Sequence, residues 1–357
     1  LEFLTEYGLF LAKVVTLVIA IGVVIGFVVS AGSRHKKSEK GHIEVKKLNE
    51  KFEHMSDVLK EATLDPEQLK LQAKEEKKRH KEERAEQKKA AKLSVKNKQP
   101  AEPELVKKRI FVLDFHGDIK ASACESLREE ISAVLSLATP ADEVVVKLES
   151  GGGMVHSYGL ASSQLARITN KKVPLTVCVD KVAASGGYMM ACVADKIIAA
   201  PFAILGSIGV VAQLPNFHKL LKKNDIDYEM FTAGEYKRTV TMFGENTQKD
   251  REKFKEDLED THVLFKEFVS EHRPEVDIGK VATGEVWFGR RAKDVNLIDE
   301  LFTSDEYLMA QAANADIYEV HFAHKKSLPE KFGFAAQGAV DRLLLTWWER
   351  LQHNRWF

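Results

Sequence analysis

VPLTVCVDKVAASGGYMM, residues 173–190, carries two statements about structure. Val173 to Val179 is a short run rich in β-branched residues, bounded by Asp180-Lys181, and reads as a strand. Because it is apolar on both alternating sets of positions, Thr176 apart, it belongs to a sheet buried on both faces. Ala183-Ala184-Ser185-Gly186-Gly187 then forms a turn of small residues, and an apolar helix follows to about Val193. Strand, tight turn and helix therefore occur in succession, with a serine at the turn.

The same alternation extends outward in both directions. Ile110–Phe115 is a strand candidate, followed by a helix from about Ser122 to Leu137. Glu143–Leu148 (EVVVKL) is a second strand, ending in Ser150-Gly151-Gly152-Gly153, and a helix from Val155 to Ile168 follows. Downstream, Lys196–Ala200 is again strand-like. Strands alternating with helical stretches predict an α/β domain with a mostly parallel sheet and helical crossovers. Val182 to Leu214 is apolar enough to suggest a membrane span, but Asp195-Lys196, Pro201 and several glycines interrupt it, so it reads as buried core.

Ser185 admits two accounts on local spacing. In one it is a nucleophile on a sharp turn, its small neighbours letting a substrate carbonyl approach. The N–H of Gly186 then points at the developing oxyanion, with a second donor from Gly152 or Gly153 at the end of the preceding strand. In the other, Ser185 caps the helix and the glycines only permit close packing. A serine nucleophile needs a base. His116, His156 and His218 lie in this region, none in a context that marks it as one; a lysine serves when its amine is neutral.

Longer motifs add a family resemblance. Ser150-Gly151-Gly152-Gly153, Val182-Ala183-Ala184-Ser185-Gly186-Gly187-Tyr188 and Gly206-Ser207-Ile208-Gly209-Val210 resemble the signal peptide peptidase A family. Gly284-Glu285-Val286-Trp287-Phe288-Gly289-Arg290-Arg291-Ala292 and Asn296-Leu297-Ile298-Asp299 resemble its closing segment. The chain departs from the family pattern at Gly151, Met154 and Asn296, where proline, glycine and glycine are usual. The resemblance covers about residues 109–310 and implies a Clp-protease/crotonase-like fold with a repeated β-β-α core. It also implies a Ser–Lys dyad whose lysine follows a strand some fifty residues after the serine. Tyr228–Thr232 matches that strand, and Lys237 stands 52 residues beyond Ser185. Arg238 stays protonated and is no alternative base. The implied enzyme is a serine endopeptidase acting on short or unfolded peptides, remnant signal peptides among them, without metal or cofactor, and built as a homo-oligomer.

The rest of the chain suggests a tether. Leu9–Val29 (LFLAKVVTLVIAIGVVIGFVV) has Lys13 as its sole charge and is long enough to span a bilayer as a helix, so residues 1–33 read as a retained membrane anchor. Residues 34–108 form a basic neck and linker. Within it Val45, Leu48, Phe52, Met55, Leu59 and Ala62 mark one face of a helix stopped by Asp65-Pro66, suited to packing on its own domain or to self-association. Residues 311–357 form an extension whose Val340–Leu351 segment is amphipathic, with Trp347 and Trp348.

The 357 residues hold 53 basic and 53 acidic side chains, which argues against a nucleic-acid binder. The balance is uneven: residues 34–109 carry 23 Lys/Arg against 15 Asp/Glu, and residues 110–357 carry 29 against 36. Basic residues just after the anchor place the body in the cytoplasm by the positive-inside rule. The family resemblance instead implies the periplasmic side of a bacterial inner membrane, crossed once. Cys124, Cys178 and Cys192 are too few and scattered for a disulfide framework or a metal site. Two other functions fit part of the pattern: an inactive membrane scaffold, or a crotonase-like acyl-CoA enzyme using oxyanion donors without a Ser–Lys pair.

Overall fold

A computed structural model describes residues 41–65 and 107–324, together with a few helical positions within 7–16 and 67–78. Two units separate: residues 43–322, and a second made of residues 1–42 and 323–357. In the second unit, residues 7–11, 13, 14 and 16 are helical. Most of the expected anchor, the basic run 79–106 and the amphipathic segment 340–351 lie outside the described residues. Among the described residues, no helix is long and apolar enough to cross a membrane.

The larger unit is built on a twisted, mostly parallel sheet. Its strands are β1 (Gly41–Lys47), β2 (Lys108–Gly117), β3 (Glu143–Ser150), β4 (Leu175–Val179), β5 (Val182–Ala184), β6 (Lys196–Ala199), β7 (Ile204–Gly206), β8 (Val286–Phe288), β9 (Glu300–Leu301) and β10 (Ala315–His324). The main path runs β1-β10-β2-β3-β4-β6-β9. A branch leaves β3 through β5 and β7 to β8, and only the last pairing, β7 with β8, is antiparallel among those with defined register. Central strands are apolar throughout for a physical reason: Val144, Val145 and Val146 are all fully buried, because helices cover both faces.

One face carries the main core. Against it pack α2 (Cys124–Leu137), α3 (Val155–Asn170), the six-residue α4 (Gly186–Ala191) and the long α6 (Gln248–His272). A short α5 (His218–Lys223) precedes α6, which Thr247 and Asp250 begin with a reciprocal capping box. The short α7 (Ile278–Val281) and α8 (Gly289–Asp294) follow it. The opposite face is covered by α1 (Leu48–Thr63) and α9 (Ser304–Ala312), around Leu48, Ile110, Val112, Val145 and Leu308.

The sheet therefore extends beyond residues 109–310 at both ends. Val45 lies on β1 rather than on a helix, so the face expected over residues 45–62 begins at Leu48. Leu48 and Phe52 pack on the domain itself, whereas Met55 and Leu59 face solvent. Asn49 fixes the attachment: its amide donates to the carbonyls of Ala312 and Ala315 and its oxygen accepts from Ile317 N–H at 2.7 Å. A second expectation is corrected at Tyr228–Thr232, which is irregular and exposed rather than a strand. A strand needs a neighbour for its N–H and C=O groups, and none pairs with this segment among the described residues. Phe231 is 90% exposed there.

Two ion pairs lock the margins of the core. Arg109 grips Asp142 through Nε and Nη2 at 2.8 and 2.7 Å. Arg273, at the end of α6, grips Asp299 in the same two-pronged way at 2.8 and 2.9 Å. Asp299 also accepts from the N–H of Ile197 on β6. Burial pushes the Asp299 carboxyl up, but the hydrogen bonds from Arg273 and Ile197 outweigh it and hold it below the usual range.

Candidate active site

Ser185 occupies the junction between β5 and α4, and the local fold forces its geometry. Ala183 lies in register with Ser150 on β3, and Ala184 with Gly206 on β7. The Ser185 N–H donates to Gly206 C=O at 2.8 Å, and its C=O accepts from Met189 N–H at the first turn of α4. Caught between strand and helix, Ser185 takes φ 53° and ψ −120°, a region non-glycine residues rarely enter. Such a conformation costs about 1–3 kcal/mol and persists only when surrounding structure imposes it. Here the buried residues of α4 and the sheet pairing of β5 hold it. The Ser185 side chain makes no capping hydrogen bond to α4. That finding decides against the helix-cap account.

Small residues around the serine are required by close approaches. A Cβ on Gly186 would fall 2.4 Å from Cγ of Tyr158, whose ring lies against it. Gly152 has φ +85°, and a Cβ there would sit 2.6 Å from the Gly186 nitrogen and 2.8 Å from Ser185 Cβ. The Gly151–Gly153 turn thus lies directly over the serine and the amide that follows it. Within that turn, Gly152 N–H is already committed: it donates to Ser150 Oγ at 3.1 Å. Met154 N–H donates to Ile119 C=O at 2.8 Å. Among the described residues, the N–H of Gly153 between them makes no hydrogen bond.

Ser185, Gly153 and Gly186 open onto a cavity of about 410 Å³. Val155, Gly159 and Ser163, one above another on α3, form one wall, and Leu264 and Phe268 of α6 form another. Its lining is predominantly apolar, and Gly159 leaves open space where a side chain would stand.

Lys237 is not brought against Ser185. It is exposed, in a turn where its N–H donates to Gly234 C=O at 3.2 Å. It lines a separate cavity of about 700 Å³ with Phe231, Thr232 and Arg238, sharing no wall residue with the first. The surrounding segment is tied to itself: Phe243 stacks near Phe217 and Tyr228, and Asn216 donates to the carbonyls of Thr241 and Gly244. His116, His156 and His218 do not line the Ser185 cavity. The three cysteines are buried and unpaired, and burial raises the thiols of Cys124, Cys178 and Cys192. No group of metal-ligating side chains occurs among the described residues.

Sequence reasoning did not single out Tyr158 or Gly159. The available signal for the tyrosine was its place in the first turn of the helix after Ser150-Gly151-Gly152-Gly153. A buried phenol there must find a polar partner nearby.

A strained serine at a strand–helix turn, a glycine turn packed against it and an adjoining apolar cavity together make the candidate active site. Comparison with known proteins gives the family. Residues 2–165 match the family model described as peptidase family S49 N-terminal, and residues 167–318 match that of peptidase family S49. The chain belongs to peptidase family S49 and is a protease. It is similar to a probable protease SohB of Haemophilus influenzae, 49% identical over 96% of each chain. A probable protease SohB of Buchnera aphidicola subsp. Schlechtendalia chinensis is 47% identical over 87% of this chain and 100% of its own. A putative protease of Methanocaldococcus jannaschii is 34% identical over 52% of this chain and 61% of its own.

Proposed function

We propose that the protein is a membrane-anchored serine endopeptidase in which Ser185 is the nucleophile and Lys237 the base. The observation that carries this reading is the backbone of Ser185, held at φ 53° with no capping role and facing an apolar cavity. Ser185 Oγ attacks a peptide carbonyl while the neutral amine of Lys237 takes the hydroxyl proton. The carbonyl oxygen becomes an oxyanion held by the N–H groups of Gly186 and Gly153. Gly152 does not serve, since its N–H is spent on Ser150. The tetrahedral adduct collapses with cleavage of the C–N bond, and the lysine ammonium returns the proton to the leaving amine. Water, deprotonated by the same lysine, then attacks the acyl ester and releases Ser185. The residues supply every proton transfer, so no metal or cofactor enters the proposal.

Lys237 and Ser185 line different cavities, so the dyad must be assembled by association or by movement of the 210–247 segment. Association is favoured by the exposed apolar surface of that segment, which includes Val211, Leu220, Ile226 and Phe231. The proposed unit is a homo-oligomer in which Lys237 of one copy meets Ser185 of another. The substrates are short or unfolded peptides, remnant signal peptides among them, delivered at a bacterial inner membrane to which residues 9–29 tether the enzyme. Either side of the membrane is compatible with the chemistry. A fluorophosphonate probe tests the nucleophile: it should label the wild type and not Ser185→Ala. Peptide hydrolysis that survives in Ser185→Ala would overturn the assignment.

A further inference from the structure

We propose that Tyr158 and Ser150 are positioning residues that set the oxyanion turn through a one-way relay of hydrogen bonds; this rests on the serine-peptidase reading above. Tyr158 and Ser150 are 0% and 2% exposed, so their hydroxyls have no bulk water to turn to. Tyr158 Oη lies 2.7 Å from the carbonyl oxygen of Asp118, which can only accept, so the phenol proton is committed there. The 2.6 Å bond between Ser150 Oγ and Tyr158 Oη must then be donated by Ser150. With its proton directed at Tyr158, Ser150 Oγ presents lone pairs to the chain behind it, and Gly152 N–H donates to them at 3.1 Å. The direction runs from Gly152 N–H through Ser150 and Tyr158 to Asp118 C=O, and every donor is matched.

The effect is to fix which amide faces Ser185. Gly152 N–H is turned away toward Ser150, Met154 N–H is taken by Ile119 C=O, and Gly153 N–H is left between them beside the cavity. Both ends of the turn are thereby tied to one loop, Asp118-Ile119. That loop is itself stiffened by the Asp118 carboxylate, which accepts from the N–H groups of Lys120 and Ser122 and from Ser122 Oγ. The Tyr158 ring meanwhile lies against Gly186, the source of the other amide. One side chain thus references both oxyanion donors to each other. Preorganised donors act in the transition state more than in the ground state, so their misplacement lowers turnover rather than binding.

The test compares Tyr158→Phe, Ser150→Ala and the double variant with the wild type in the full-length enzyme. Each single variant should lower kcat by about ten- to a hundredfold with KM changed by less than about twofold. The double variant should lose no more than the worse single one, because either substitution breaks the same relay. Affinity for a peptide aldehyde, which forms a tetrahedral adduct on the serine, should fall by the same factor as kcat. Affinity for a product peptide should hold. Loss of labelling in Ser185→Ala is read in parallel, so that failure of the serine mechanism is recognised separately. Folded variants that keep wild-type kcat and aldehyde affinity, or whose losses multiply in the double variant, would overturn the relay.

Discussion

Gly152 stands so close to Gly186 that a single added carbon would lie 2.6 Å from the Gly186 nitrogen. The approach unites two segments more than thirty residues apart into one wall of the site, and the two strands behind them, β3 and β5, are partnered at Ser150 and Ala183. Gly152→Ala meets both a steric conflict and the φ of +85°, where side chains are strained. It should lower kcat/KM by at least about a hundredfold. Steady-state hydrolysis of a fluorogenic peptide checks it; near-normal activity would mean that the turn is not part of the machinery.

Ser185→Ala and Lys237→Ala should each remove hydrolysis, and Lys237→Arg should not restore it, because a guanidinium remains protonated. If the lysine is donated between copies, mixing the two inactive alanine variants should recover part of the wild-type rate. Mixed assemblies that form yet stay inactive would place both halves of the dyad in one chain.

The open space over Gly159 predicts a change of selectivity. Gly159→Phe projects a ring into the 410 Å³ cavity between α3 and α6. Peptides with a bulky apolar residue beside the scissile bond should lose about tenfold in kcat/KM, whereas those with alanine there should be nearly unaffected. Equal losses for both would show that the cavity does not receive that side chain.

Arg273 and Asp299 predict an acid limit. The Asp299 carboxyl is held below its ordinary range, so its pairing contributes fully above the unfolded-state value near 4 and is lost as pH falls through the lower folded value. Asp299→Asn should flatten the loss of stability in that acid window. Arg273→Ala, which leaves Asp299 without its partner beneath α6, should cost about 3 kcal/mol at neutral pH. Urea unfolding at several pH values measures both, and an acid slope unchanged in Asp299→Asn would refute the assignment.

The central layers of the fold could be read from sequence because their residues answer to local rules. The run of valines at 144–146 signals a strand buried on both faces, and Ser185 amid alanines and glycines signals a strand–helix turn. The capping question at Ser185 could not be settled that way, since spacing is silent about where an oxygen points. Val45 misleads because an alternating edge strand and a helical face share apolar positions over a short window. Tyr228–Thr232 looks like a strand because aromatic and branched residues favour sheets, yet sheet membership is conferred by a neighbour. Tyr158 escaped notice for a different reason: its importance lies in two hydrogen bonds of its hydroxyl, to Ser150 and to the distant Asp118.

The position of β10 between β1 and β2 has a consequence for biosynthesis. Asn49 hydrogen-bonds Ile317, 268 residues later in the chain. At bacterial or eukaryotic elongation rates of about 5–20 residues per second, roughly 15–50 s separate the emergence of those partners from the ribosome. During that interval β1 lacks its neighbour in the sheet, while the Ser185 turn has already been synthesised. The last strand therefore acts as a clasp, and a nascent chain halted before it would display Leu48 and Phe52 to chaperones and proteases.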